Sequence, residues 1–141
     1  MTRPVEDLLP HRPPFLWVDE ILDVEPGVRC VAIKRLDGSE PVFTGHFPGN
    51  PILPGVLLIE AAAQTGVLML GAGRPERPGV MLLAAVTHFK FQQPVRPGDV
   101  IEIETRVLTE AMGMAVVSAV VRVGTSVVAS GQLSLAERQT L

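Results

Sequence analysis

GVLLIEAAAQTGVLML, running from Gly55 to Leu70, is the stretch that decides the fold. It follows Pro54, holds no proline and is built from helix formers, so it predicts one helix of roughly 24 Å at about 1.5 Å per residue. From Val56 onward only Glu60, Gln64 and Thr65 carry polar side chains. A helix that is apolar nearly all round cannot lie on a solvated surface. A single sheet covers one side of it, and a second subunit is the expected cover for the rest. Glu60 and Gln64, four positions apart, sit about 40° from each other round the axis and form one polar stripe on an otherwise apolar cylinder. A buried carboxylate is costly unless it is paired or used. The apolar run is also too short to span a bilayer.

Working outward, strands flank the helix on both sides. Upstream, FLWVDEILDV (Phe15 to Val24) is rich in strand formers, Glu25-Pro26-Gly27 makes a turn, and VRCVAIKRL (Val28 to Leu36) alternates as a half-buried strand does, so the pair reads as a hairpin. Before it, Pro4, Pro10, Pro13 and Pro14 restrict residues 1 to 14 to an arm with at most one helical turn around Val5 to Leu9. Residues 37 to 54 form a loop dense in glycine and proline, expected to lack regular structure. Downstream, GAGRPERPG (Gly71 to Gly79) is a polar loop. The segments Val80 to Phe91, Val100 to Leu108, Met114 to Val123 and Val127 to Leu135 then read as three or four strands joined by short turns. Sequential strands with tight connections make an antiparallel sheet, and one segregated helix makes the class α+β. No linker or repeat interrupts the chain, so residues 1–141 are expected to be a single domain.

Composition narrows the function. The chain has 141 residues, 47% of them hydrophobic and 19% charged, with a formal charge of −3. Such a chain buries a core, unlike a disordered one, and lacks the basic excess of a nucleic-acid binder. The single cysteine, Cys30, excludes an internal disulfide framework and fits a reducing compartment. With no apolar leader segment at its start, the chain is expected to be cytoplasmic and independent of membranes.

Chemistry concentrates in a short stretch. The three histidines (His11, His46 and His88) stand far apart, with no spacing that suggests a metal site, and there is no hydrolase elbow, dinucleotide fingerprint or phosphate loop. His46 lies in the proline-rich loop GHFPG, and histidine is a natural general base near neutral pH. Glu60, one turn into an apolar helix, is a plausible general acid, because desolvation favours the protonated carboxyl. Gly55 puts a backbone N–H at the helix N-terminus, where a developing oxyanion is stabilised. A structural alternative stays open on the residues alone, with His46 bonding its loop and Glu60 pairing with a buried arginine. His11 and His88 read as structural.

GHFPGNPILPGVLLIEAAAQ (Gly45 to Gln64) resembles the signature of the 3-hydroxyacyl-acyl-carrier-protein dehydratases of fatty acid synthesis. LPHRPPFLWVDEI (Leu9 to Ile21) and FQQPVRPGD (Phe91 to Asp99) resemble that family's N-terminal and post-helix segments, in family order. The resemblance implies the hot-dog fold, a sheet wrapped round one long helix, and a homodimer that often assembles as a trimer of dimers. By position it implies that His46 is the catalytic histidine, Glu60 the catalytic carboxylate and Gly55 the donor to the thioester carbonyl; Gln64, on the same polar stripe as Glu60, is a candidate supporting residue. It further implies that His46 meets the partner subunit's carboxylate across the dimer axis. The implied reaction turns a 3-hydroxyacyl thioester into the trans-2-enoyl thioester, without a cofactor, on an acyl carrier protein. Sister enzymes that also isomerise the double bond usually carry aspartate in place of Glu60, so this chain leans to a plain dehydratase. Phe89 and Phe91 are candidates for the walls of the acyl tunnel. Gln92-Gln93 stand where the family commonly has a basic pair, which admits a coenzyme A thioester or a specialised carrier as the substrate form. A hot-dog thioesterase and a non-catalytic acyl-thioester-binding module are the alternative readings.

Overall fold

The computed structural model describes residues 4–71 and 80–138. The elements are, in chain order, α1 (Val5–Leu8), β1 (Glu20–Glu25), β2 (Arg29–Arg35), α2 (Val42–Gly45), α3 (Gly55–Gly71), β3 (Val80–Phe91), β4 (Val100–Ala111), β5 (Met114–Val123) and β6 (Ser126–Arg138). The six strands form one antiparallel sheet in the order β1-β2-β4-β5-β6-β3. The sheet wraps around α3, which touches all its strands except β1 in the main packing. This is the α+β, helix-in-sheet arrangement that the apolar helix demanded, and the last part of the chain supplies four strands.

Alternation builds the concave face. Ile101, Ile103 and Thr105 of β4, Ala115, Val117, Ala119 and Val121 of β5, and Leu133 and Leu135 of β6 are buried against Leu58, Ala61, Ala62, Leu68 and Met69 of α3. The small residues on the helix let it seat closely. A Cβ added to Gly66 would stand 2.8 Å from Leu135 Cδ1. No helix among the described residues is long and apolar enough to cross a membrane.

Two expectations need correction. The strand expected over Phe15 to Val24 begins only at Glu20. Gln64 takes the backbone instead: Trp17 N–H donates to its Oε1 and its Nε2 donates to the Phe15 carbonyl, both at 2.8 Å. Those groups are thereby withdrawn from any ladder, and strand propensity yields to a tertiary bond. The loop over 37 to 54 contains one helical turn, α2, which delivers His46 at its end. The expected loop Gly71 to Gly79 lies, beyond Gly71, outside the described residues.

β3 differs from its neighbours. It is one of the two edge strands of the sheet, 12 residues long, and most of its side chains are exposed. Leu82, Leu83 and Val86 are 40%, 42% and 44% exposed. Its pairing with β6 shifts register between Thr87 and Lys90, where His88 adopts φ +52°. This bulge turns Phe89 onto Gly131 of β6, where a Cβ would lie 2.6 Å from the Phe89 Cα.

Candidate active site

His46 is held by its loop from several directions. Its N–H donates to the Val42 carbonyl and its own carbonyl accepts from Ile52 N–H at 2.8 Å. Leu53 N–H then ties the loop to the Val95 carbonyl, and Arg96 Nη1 donates to Asn50 Oδ1 at 3.1 Å. The imidazole stacks on Phe47, with ring centroids 4.1 Å apart. Its Nδ1 lies 2.8 Å from the Ile52 carbonyl. A carbonyl only accepts, so Nδ1 carries the hydrogen and Nε2 keeps its lone pair. The nitrogen left free is therefore the one able to accept a proton.

That imidazole lines a cavity of ≈ 470 Å³ with Gly55, Val56, Phe91, Gln92 and Gln93 among its other walls. Gly55 opens α3, so its N–H has no partner within the helix. Phe91 closes over it: a Cβ on Gly55 would stand 2.9 Å from the ring. Of the two phenylalanines expected in a tunnel wall, Phe91 lines this cavity. Phe89 packs against Gly131 and the core instead.

Glu60 lies elsewhere. It lines a second, smaller cavity of ≈ 200 Å³ with His11, Phe15, Gln64, Met81, Leu82 and Leu83. Its side chain is 21% exposed. Gln64 Nε2 donates to Glu60 Oε2 at 2.9 Å, so the polar stripe read from the sequence is a real hydrogen-bonded pair. Gln64 is itself 1% exposed and fully engaged, holding Glu60 on one side and the arm on the other. No buried arginine pairs with Glu60 among the described residues. The chain thus brings His46 together with Gly55, and Glu60 together with Gln64, and leaves the two pairs in separate cavities.

The residue missed in the sequence is His11. Its Nε2 stands 3.7 Å from Glu60 Oε2, whereas spacing suggested only a structural histidine in the arm. Nothing local signals this proximity, because the path of the arm is set by Gln64, 47 and 49 residues away in the chain from the groups it binds.

Comparison with known proteins agrees with this architecture. A family model described as the FabA-like domain matches residues 9–132. The chain is 42% identical to the 3-hydroxyacyl-(acyl-carrier-protein) dehydratase FabZ of Symbiobacterium thermophilum over 131 residues, covering 92% of each chain. It is also 42% identical to the protein of the same name from Vibrio cholerae over 137 residues, 96% of this chain and 90% of that one. Among solved structures, a chain of the dehydratase heterocomplex ApeI:P from Xenorhabdus doucetiae superposes with a TM-score of 0.87 at 19% identity, over 98% of this chain and 93% of that one. That match establishes the hot-dog fold, and the sequence matches establish the lineage. The chain belongs to the FabA-like family, as one of its 3-hydroxyacyl-(acyl-carrier-protein) dehydratases.

Proposed function

We propose that this dehydratase works through His46, Gly55 and Glu60, with the complete site assembled from two subunits. The observation that carries the proposal is the separation of His46 and Glu60 into cavities at opposite ends of β3. The His46 cavity includes Phe91, at the C-terminal end of the strand. The Glu60 cavity includes Met81, Leu82 and Leu83, at its N-terminal end. If β3 of one protomer pairs antiparallel with β3 of another about a two-fold axis, each end of the strand meets the opposite end of its partner. The His46 cavity of one protomer then adjoins the Glu60 cavity of the other, twice, as an isologous interface requires. A long exposed edge with apolar side chains is the kind of strand that seeks such a partner.

In this dimer the chemistry is a β-elimination. His46 Nε2 takes the C2 proton of the 3-hydroxyacyl thioester, and the C–H electron pair moves toward the carbonyl. Gly55 N–H, at the positive end of α3, holds the thioester oxygen as charge builds there. The electron pair then forms the C2–C3 double bond while the C3–O bond breaks. Protonated Glu60 of the facing subunit delivers its proton to the departing hydroxyl, which leaves as water. Every step is acid–base chemistry available to these side chains. The base keeps the required tautomer through its bond to the Ile52 carbonyl.

The substrate form is an acyl carrier protein thioester, as the relatives' names state for them. The rim of the His46 cavity carries Gln92 and Gln93 where cations are usual, and Arg96 is engaged with Asn50. Enoyl formation from 3-hydroxyacyl groups presented on carrier protein and on coenzyme A tests this reading. Conversion on the carrier is expected, and hydrolysis of either thioester without enoyl product would instead make the chain a thioesterase.

A further inference from the structure

The described partners of Glu60 converge on one oxygen. Oε2 accepts from Gln64 Nε2 at 2.9 Å, and His11 Nε2 faces the same Oε2 at 3.7 Å. The arm that presents His11 is tied down on both sides of it. On the N-terminal side Val5 and Leu9 of the α1 region are buried, and the Arg12 guanidinium gathers the carbonyls of Glu6, Leu9 and His11. On the C-terminal side the buried Gln64 binds the backbone of Phe15 and Trp17. A segment fixed only for packing needs no imidazole at this point.

The other nitrogen of His11 is equally informative. Nδ1 is buried and has no hydrogen-bond partner among the described residues. A neutral imidazole has one N–H and one lone pair. Hydrogen on Nδ1 would bury an unsatisfied donor and turn a lone pair toward a carboxyl oxygen, while hydrogen on Nε2 points a donor at Glu60. The separation of 3.7 Å exceeds a hydrogen bond, and contacts of this kind tighten in the Michaelis complex.

We propose that His11 is a positioning residue for Glu60, acting as a second N–H donor to Oε2. Two donors on Oε2 make it the accepting oxygen of the carboxylic acid. The acid proton then resides on Oε1, the oxygen left free to meet the C3 hydroxyl of the substrate. This role rests on the assignment of Glu60 as the general acid.

The test compares His11→Leu, which fills the space without a donor, with His11→Gln, whose amide reaches about as far as Nε2. In enoyl formation from a 3-hydroxyacyl thioester, His11→Leu is expected to lower kcat about tenfold, as a displaced catalytic group does, with KM nearly unchanged. His11→Gln is expected to recover most of that loss. Full kcat in His11→Leu, equal losses in both variants, or an effect confined to KM would overturn the proposal. Should His11→Leu fail to fold, the wild-type protein labelled with ¹⁵N-histidine supplies the answer. The His11 signals, identified by their absence in His11→Gln, are expected to show the neutral Nε2–H tautomer and to move in Glu60→Gln. An Nδ1–H tautomer, or signals indifferent to Glu60, would overturn it. Glu60→Gln at full rate would remove the acid assignment and His11's role together. His11→Leu at full rate beside an inactive Glu60→Gln would remove His11's role alone.

Discussion

One carbonyl decides which nitrogen of His46 acts. Because Ile52 O occupies Nδ1, Nε2 is the nitrogen we propose as the base, and the other described walls of the cavity offer no substitute for it. His46→Ala and Glu60→Gln are each expected to lower kcat on the order of 100-fold or more, as loss of a positioned base or acid does; steady-state rates on folded variants check this. Cys30 gives a prediction of a different kind. It is fully buried, and desolvation, assisted by the nearby Asp23 charge, pushes its thiol up to about 12 from an ordinary 9.0. The unfolded chain therefore loses this proton before the folded chain does. Stability from this source is complete below about pH 9 and declines as pH rises toward 12. With no tyrosine in the chain, few other groups titrate there. Denaturant melts from pH 8 to 11 should show a decline that Cys30→Ala lessens; an identical slope in that variant would contradict it. At this scale the sequence pointed to His46, Gly55, Glu60 and Gln64 as candidates, because loop glycines and an apolar helix frame them locally, and the structure sets His46 beside Gly55 and Glu60 beside Gln64. It hid His11, whose place depends on a bond made by a residue far along the chain.

At the scale of elements, the helix and the segments after it were readable because pattern and punctuation agree, with apolar residues nearly all round the helix, clean alternation in Val100 to Leu108 and short turns between the remaining apolar runs. The first strand was misplaced by five residues, since the sequence of Phe15 to Asp19 favours extended chain without saying whether the ladder or Gln64 takes its backbone. The bulge in β3 was likewise illegible. It needs His88 at φ +52° and a partner strand with no side chain opposite Phe89, two facts about different strands. Gly131 answers the second need. Because the obstruction there includes the Phe89 backbone, Gly131→Ala is expected to destabilise the fold by about 1–3 kcal/mol, measurable by chemical denaturation. A neutral Gly131→Ala would show that β3 can move away from β6 freely, contrary to the close seating described.

For the whole molecule, the apolar helix makes a second subunit the expectation from sequence. Within one chain Val56 is the only exposed residue of α3, and the exposed edge strand β3 is where we propose a second subunit binds. The smallest folded species is expected to be a dimer. Sedimentation at low micromolar concentration checks this, and a stable folded species of 15.1 kDa would contradict it. The central claim is that His46 and Glu60 work across subunits, and mixing two dead mutants tests it most directly. His46→Ala and Glu60→Ala chains are unfolded together, refolded, and assayed for enoyl formation. Each heterodimer has one site lacking both groups and one site retaining both. Random assortment makes half of the dimers mixed, so activity should recover to about a quarter of wild type. If both groups came from one chain, every site would lack one of them. Activity no higher than the mean of the separate mutants, with heterodimers shown to form, would contradict the account.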